Sequence, residues 1–223
     1  MVDHESRKLI VMNKYYKYPR TPHIPWSPGV NADDITRTTL SSFEGSDVVV
    51  TEKMDGENTT LYRDHSHARS LDSKHHSSRD WLKQWHSTFA HNIPAGWRIC
   101  GENLYARHSV LYDNLASYFY GFSIWNESNQ CLSWAETLEW FDMLDIHPAP
   151  ELYRGIWNEK RIRELVIDES RSEGYVVRKL EAFSYSEFKQ SVVKWVRTNH
   201  VQTDQHWMHA EVIPNKVKKS DDK

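Results

Sequence analysis

The stretch Val48-Val49-Val50-Thr51-Glu52-Lys53-Met54-Asp55-Gly56-Glu57-Asn58 sets a lysine between carboxylates, after an apolar β-branched run and before a glycine turn. Thr59-Thr60-Leu61-Tyr62 follows as a second strand, so the segment reads as a hairpin presenting the Lys53 amine from a rigid frame. An amine so placed is a candidate nucleophile toward phosphorus. It must lose its proton to attack, which takes burial, a neighbouring cation or a metal. Glu52 and Asp55 work the other way, because a carboxylate stabilises the ammonium. A reactive Lys53 therefore demands positive charge from elsewhere in the chain. Taken alone, Lys-x-Asp-Gly equally suits a surface hairpin with solvated charges.

The bulk of the chain bounds what can surround that lysine. Its 223 residues suit one sizeable domain, or one with a short appendage. Apolar residues make up 39% and charged residues 26%, with no run long enough to span a bilayer and no signal-peptide pattern at Met1-Val2-Asp3-His4-Glu5, so a soluble, cytoplasmic protein is expected. Two cysteines, Cys100 and Cys131, make neither a disulfide framework nor a zinc motif, and reduced thiols are expected. A net charge of −3 means that any nucleic-acid contact relies on a local basic face. Ten tryptophans and eleven tyrosines supply core volume and also stacking surfaces for bases.

The elements that must position the chemistry can be read in order. Pro19, Pro22, Pro25 and Pro28 exclude helix and predict an extended strap, whose Lys17 and Arg20 either touch phosphates or simply lie on the surface. Asp33 to Ser46 reads as a short connecting helix or turn. His65, His67, His75 and His76 fall in a polar stretch without recognisable metal-ligand spacing, which reads as an exposed loop near the cleft. Trp81, Leu82, Trp85 and Phe89 predict a helix over 78–91 capped by Ser77 or Ser78. Strands are expected over 97–106 and 118–125, a helix from the Ser133–Glu136 capping box to about Leu144, and another over 158–168. Two further strands, Ser172–Lys179 and Ser191–Arg197, carry Glu173 and Lys194, and the tail from Val212 to Lys223 is expected to fray.

Glu52-Lys53-Met54-Asp55-Gly56-Glu57-Asn58, Gly101-Glu102-Asn103, Tyr120-Gly121-Phe122-Ser123-Ile124, Glu173-Gly174-Tyr175-Val176-Val177-Arg178 and Val193-Lys194-Trp195-Val196-Arg197 resemble, in order, the motifs of the covalent nucleotidyltransferases. That superfamily comprises ATP-dependent DNA and RNA ligases and mRNA capping enzymes. The Glu before the lysine, the Asn five residues after it and the Glu-Gly-Tyr-Val-Val form are most similar to phage-type RNA ligases. The resemblance implies an α+β fold of antiparallel sheets flanking a nucleotide cleft. It implies ATP and Mg²⁺ (or Mn²⁺) as cofactors and RNA ends, a 5′-phosphate and a 3′-hydroxyl, as substrates. By the same resemblance Lys53 is the nucleophile, Glu52 meets the adenine amino group and Phe122 stacks on the adenine. Glu102 binds the ribose, Asn58 holds the reacting phosphates, Glu173 places the metal and Lys194 contacts the α-phosphate. Arg69 is the candidate for a further basic residue, with Arg63 and Arg79 competing. Lys194, an arginine and the metal would then supply the positive field that Lys53 requires.

The last motif departs from the common Lys-x-Lys form, since Arg197 stands three residues after Lys194 and is the candidate second basic contact. The 26 residues after Arg197 are too few for an oligonucleotide-binding barrel, so residues 1–223 are expected to form a single catalytic domain, with an accessory substrate-binding protein as a possible partner. His200, His206 and His209 could reach RNA or be surface side chains. A DNA ligase, a guanylyl-transferring capping enzyme and a binding-only module are the alternative readings, and an intact Lys53, Glu102, Glu173 and Lys194 argue against the last.

Overall fold

The computed structural model describes residues 15–198 and 212–218. The strands are β1 (Asp47–Lys53), β2 (Glu57–Tyr62), β3 (Ser66–Ala68), β4 (Arg98–Asn103), β5 (Phe119–Trp125), β6 (Gln130–Cys131), β7 (His147–Pro148), β8 (Glu151–Ile156), β9 (Gly174–Lys179), β10 (Phe183–Ser184) and β11 (Val192–Val196). The helices are α1 (Asp80–Phe89), α2 (Trp134–Met143), α3 (Glu159–Arg163) and α4 (Phe188–Ser191). Two sheets face each other: β11-β9-β1-β8, and β10-β6-β5-β4-β2-β3 with β7 beside β5. All named pairings are antiparallel except β5 with β7, so the expected α+β architecture of antiparallel sheets is present. No helix among the described residues is long and apolar enough to cross a membrane.

Strand alternation sorts the sequence into three layers. Val48, Val50, Tyr175, Val177 and Val193 turn to the outer face of the first sheet and pack with Ile24, Phe43 and Ile162. Leu61, Ile99, Phe119 and Ile124 turn to the outer face of the second and meet Leu82 and Phe89 of α1 and Phe141 of α2. Both faces of the aromatic strand β5 are thus covered, because Trp125 and Phe122 turn inward and join Cys100, Phe188 and Val192 between the sheets. Lys53 and Lys194 are left on the inner face of one sheet, opposite Asn58 and Glu102 on the other.

The Ser133–Glu136 capping box is formed and opens α2. Around α1 the cap differs from expectation: the residues before it wind as a 3₁₀ turn, Ser77–Arg79, and the His76 side chain accepts from Ser78 N–H. The helix expected over 158–168 stops at Arg163, leaving Leu165 and Ile167 to pack on the core from irregular chain. Strand β8 has no counterpart among the expected strands; it is an edge strand with mostly exposed side chains. The histidine-rich stretch is not wholly an exposed loop, since it contains β3 with His67 buried.

The strap does more than lie on the surface. His23 bridges Lys194 in parallel, Lys194 N–H donates to Pro22 O and Ile24 N–H to Lys194 O, each at 2.9 Å, so the strap covers the β11 edge. Gly29 sits so close that a Cβ would lie 2.2 Å from Arg197 O. Arg20 pairs with Asp33 at the surface. At the other end, residues 212–218 are fastened instead of frayed: buried Asn215 donates to Leu104 O at 2.8 Å and accepts from Tyr112 N–H at 3.0 Å. His200, His206 and His209 lie outside the described residues.

Candidate active site

Lys53 ends β1 and pairs in register with Gly174 of β9, while Lys194 of β11 pairs with Val176. Three adjacent strands therefore deliver Lys53, Glu173 and Lys194 to one spot. Gly174 is required there, because a Cβ would meet Trp195 O at 2.0 Å. Glu173, just before it, is only 2% exposed and forms an ion pair with Lys53, which is 22% exposed. Across the cleft, Asn58 and Glu102 are directly opposite partners on β2 and β4. Glu102 accepts from Gly56 N–H at 3.2 Å, and the buried amide oxygen of Asn58 has no hydrogen-bond partner.

The electrostatics of these groups are mutual. Burial penalises the Lys53 ammonium, but Glu173, Glu102 and Asp55 more than offset it and hold its pKa above the usual lysine value. Burial, opposed by Lys53 and reinforced by Glu173 and Asp55, pushes Glu102 up to about 8. Lys194 moves the other way: burial and then Lys53 lower it, with Arg69 adding to the effect and Asp34 and Glu173 opposing. Arg69 thus belongs to the field at Lys194. Its competitors do not: Arg79 is committed to Glu57, and Arg63 donates to His91 O at 2.7 Å.

The other expected residues fall as follows. Phe122 is half-buried between the sheets with the Tyr18 ring set edge-on to it at 5.2 Å. Glu52, one residue before the lysine, points to the opposite face; burial raises its carboxyl, with Ser172 and Arg171 opposing, and it is not among the groups acting on Lys53. Arg197 donates to Ser109 Oγ at 3.3 Å. Ser109 in turn donates to Asp55 Oδ2 from N–H at 2.7 Å and from its hydroxyl at 2.8 Å, and Val110 N–H adds a third bond at 2.7 Å. From the sequence, Asp55 is legible only as a charge beside Lys53. In the fold it is 4% exposed and ties the loop after β4 to the lysine hairpin. The signal was present in the Lys-x-Asp-Gly spacing; its partner, 54 residues away, was not.

The basic residues Arg178, Arg79 and Lys74, which the sequence offers for a local basic face, divide. Arg178 is 4% exposed, donates to Leu132 O at 2.8 Å and lies over Trp134 and Phe183, so it is a core group and not an RNA contact. Arg79 is likewise occupied by Glu57. Lys74 instead lines an open groove of about 460 Å³ beside β3 and α1, with Arg63, His65 and Lys83. Among the described residues no three His, Cys, Asp or Glu side chains converge to enclose a metal.

A family model described as RNA ligase matches residues 46–196. No curated protein matches. Naegleria gruberi RNA ligase with PPi superposes with a TM-score of 0.50 at 17% identity, over 71% of this chain and 51% of that one. An archaeal ATP-dependent RNA ligase gives 0.50 and 17%, over 72% and 45%. A Naegleria gruberi RNA ligase variant with ATP and Mn gives 0.48 and 17%, over 71% and 52%. The chain spans about half the length of the ligases it resembles, and at these identities the likeness is one of fold. The family model, by contrast, takes in most of the chain, from just before β1 to the end of β11: the chain belongs to the RNA ligase family.

Proposed function

We propose that residues 1–223 act as the nucleotidyltransferase unit of an ATP-dependent RNA ligase. The observation that carries the reading is the convergence of the Lys53 amine with Lys194 and Glu173 on one sheet, facing Glu102 and Asn58 on the other. The Lys53 amine attacks the α-phosphorus of ATP, the bond to pyrophosphate breaks, and AMP remains on the lysine nitrogen. A 5′-phosphate RNA end then takes the AMP, and a 3′-hydroxyl displaces it to form the phosphodiester bond. Lys194, Arg69, Arg197 and Asn58 hold the phosphates, Glu102 the ribose and Phe122 the adenine, and Glu52 would have to reach the adenine amino group from the opposite face of β1.

The donor chemistry fits a divalent cation, Mg²⁺ or Mn²⁺: Glu173 offers hard carboxylate oxygens at the cleft, and phosphate oxygens and water would fill the remaining positions, as Mg²⁺ prefers. Such an ion neutralises charge on the reacting phosphates. The protein's own task is proton control. Lys53 is an ammonium while Glu173 holds it, so engaging Glu173 elsewhere and bringing Lys194 and Arg69 to bear is what frees the amine. The polynucleotide would run along the groove beside β3 and α1, where Lys74, Lys83 and Arg63 meet phosphates, and an accessory substrate-binding partner would extend that grip. A cytoplasmic setting is part of the same reading.

The test is incubation of the chain with labelled ATP or GTP and Mg²⁺. Covalent label from ATP that disappears in Lys53→Ala supports the reading. Label from GTP alone favours the capping-enzyme alternative, and label retained in the mutant overturns the role of Lys53.

A further inference from the structure

The family match starts at residue 46, yet a side chain touching the Lys194 ammonium comes from before it. Asp34 Oδ1 stands 3.6 Å from Lys194 Nζ, and its other oxygen, Oδ2, stands 3.3 Å from His23 Nε2. Both partners are well shielded, with side-chain exposures of 14% for Asp34 and 12% for Lys194, and His23 is wholly buried. Behind His23, Ser27 Oγ lies 2.8 Å from Nδ1 and accepts from Val196 N–H at 2.9 Å. The chain of contacts runs Val196, Ser27, His23, Asp34, Lys194, so it starts and ends on β11.

The main chain reinforces it. Pro22 O and Ile24 N–H grip Lys194 from either side of His23, and Asn31 N–H donates to Asp34 Oδ2 at 3.0 Å. A solvated surface pair would need none of this backing. We infer that the strap is an integral part of the catalytic centre, and that Asp34, held by His23, is a positioning residue that fixes the Lys194 ammonium in place for its work on the α-phosphate. This rests on the ligase reading for what Lys194 does, but not for how it is held. An ammonium has three donors, so one bond to Asp34 leaves two for phosphate oxygens. A freely rotating lysine loses most of its value, because misplacement of a contact by even 1 Å is costly.

Two measurements separate the claims. In the first, Asp34→Ala and the isosteric Asp34→Asn are compared with wild type for the rate of covalent AMP attachment. A fall of about tenfold for Asp34→Ala, a smaller fall for Asp34→Asn and an unchanged ATP half-saturation are expected for a positioning role. In a Lys194→Ala background the same changes should have no further effect, because the interaction is already gone. Wild-type rates in both Asp34 variants, or full additivity with Lys194→Ala, overturn the inference. The second measurement needs no catalysis: acylation of Lys194 in the ligand-free protein, read by mass spectrometry. Release from Asp34 should raise its rate by more than about threefold, and equal rates would also overturn the inference. If wild type takes no AMP, the ligase reading fails while acylation still decides whether Asp34 holds Lys194.

Discussion

Lys53 and Glu173 form an ion pair across two adjacent strands in which the acid is far more deeply buried than the base. The lysine expected to act as nucleophile is therefore held in its unreactive, protonated form by the residue expected to place the metal. Removing the carboxylate charge should have two opposite effects. Glu173→Gln should lower the Lys53 pKa, seen as faster acylation of Lys53 at pH 8, and yet reduce AMP attachment by about 10²-fold or more, because an electrostatic group needed in the transition state is lost. Unchanged AMP attachment would remove Glu173 from the mechanism.

Lys194→Ala should lower AMP attachment to a similar degree, about 10²-fold, while Arg197→Ala should have a smaller effect, because Arg197 is half turned to Ser109. Rates within a few-fold of wild type for Lys194→Ala would make the last motif coincidental. Circular dichroism and thermal melting would verify that the fold is intact in each.

Glu102 gives a pH signature. Its pKa is raised in the folded state to about 8, above the ordinary carboxylate value, so the folded protein binds this proton more tightly than the unfolded chain. The associated stability is present below the unfolded pKa and is lost as pH rises through about 8. Glu102→Gln cannot ionise. Its melting temperature relative to wild type should increase steadily from pH 5 to pH 8.5, and a flat difference would contradict the assignment.

Asn215→Ala removes a buried amide that serves Leu104, Ala106 and Tyr112. Leaving those groups unpaired should cost about 1–3 kcal/mol, visible as an earlier denaturant midpoint with the slope unchanged. A neutral outcome would mean that residues 212–218 add nothing to the loop they cover.

For substrate, single-turnover sealing of pre-adenylylated strands should favour a 3′-terminal ribose over deoxyribose, since 2′-hydroxyls offer a small surface a way to tell RNA from DNA. Equal or faster sealing of all-DNA strands would favour a DNA ligase.

What was legible in the sequence was local. Lys53, Gly174 and Lys194 sit on strands whose alternation can be read residue by residue, and Ser133 and Glu136 are three apart, so capping follows from spacing. Failures arose where the deciding partner was distant or the pattern was ambiguous. Ile162, Leu165 and Val166 share one side in helical period, but the helix ends at Arg163, Val166 is exposed and Leu165 reaches the core from irregular chain. Arg178 is a basic residue on an inward-facing position, and only the fold reveals that the carbonyls of Phe122 and Leu132 await it. Glu151 to Ile156 lacks the buried alternation that marks a strand because it lies at an edge. Asp34 and Asn215 carry no periodic signal at all; each matters through contacts with residues far away in the chain.

The pairing of the strap with β11 bears on how the molecule is made. Ser27 and Val196 are 169 residues apart, among the longest loops this chain can close. Pairings of such separation form late, after local hairpins such as β1–β2. A nascent chain emerging from the ribosome can build the Lys53 hairpin early, but it cannot complete the strap until β11 has been synthesised. Competence to take AMP should therefore be the last property that the folding chain acquires, appearing in refolding experiments after the recovery of secondary structure.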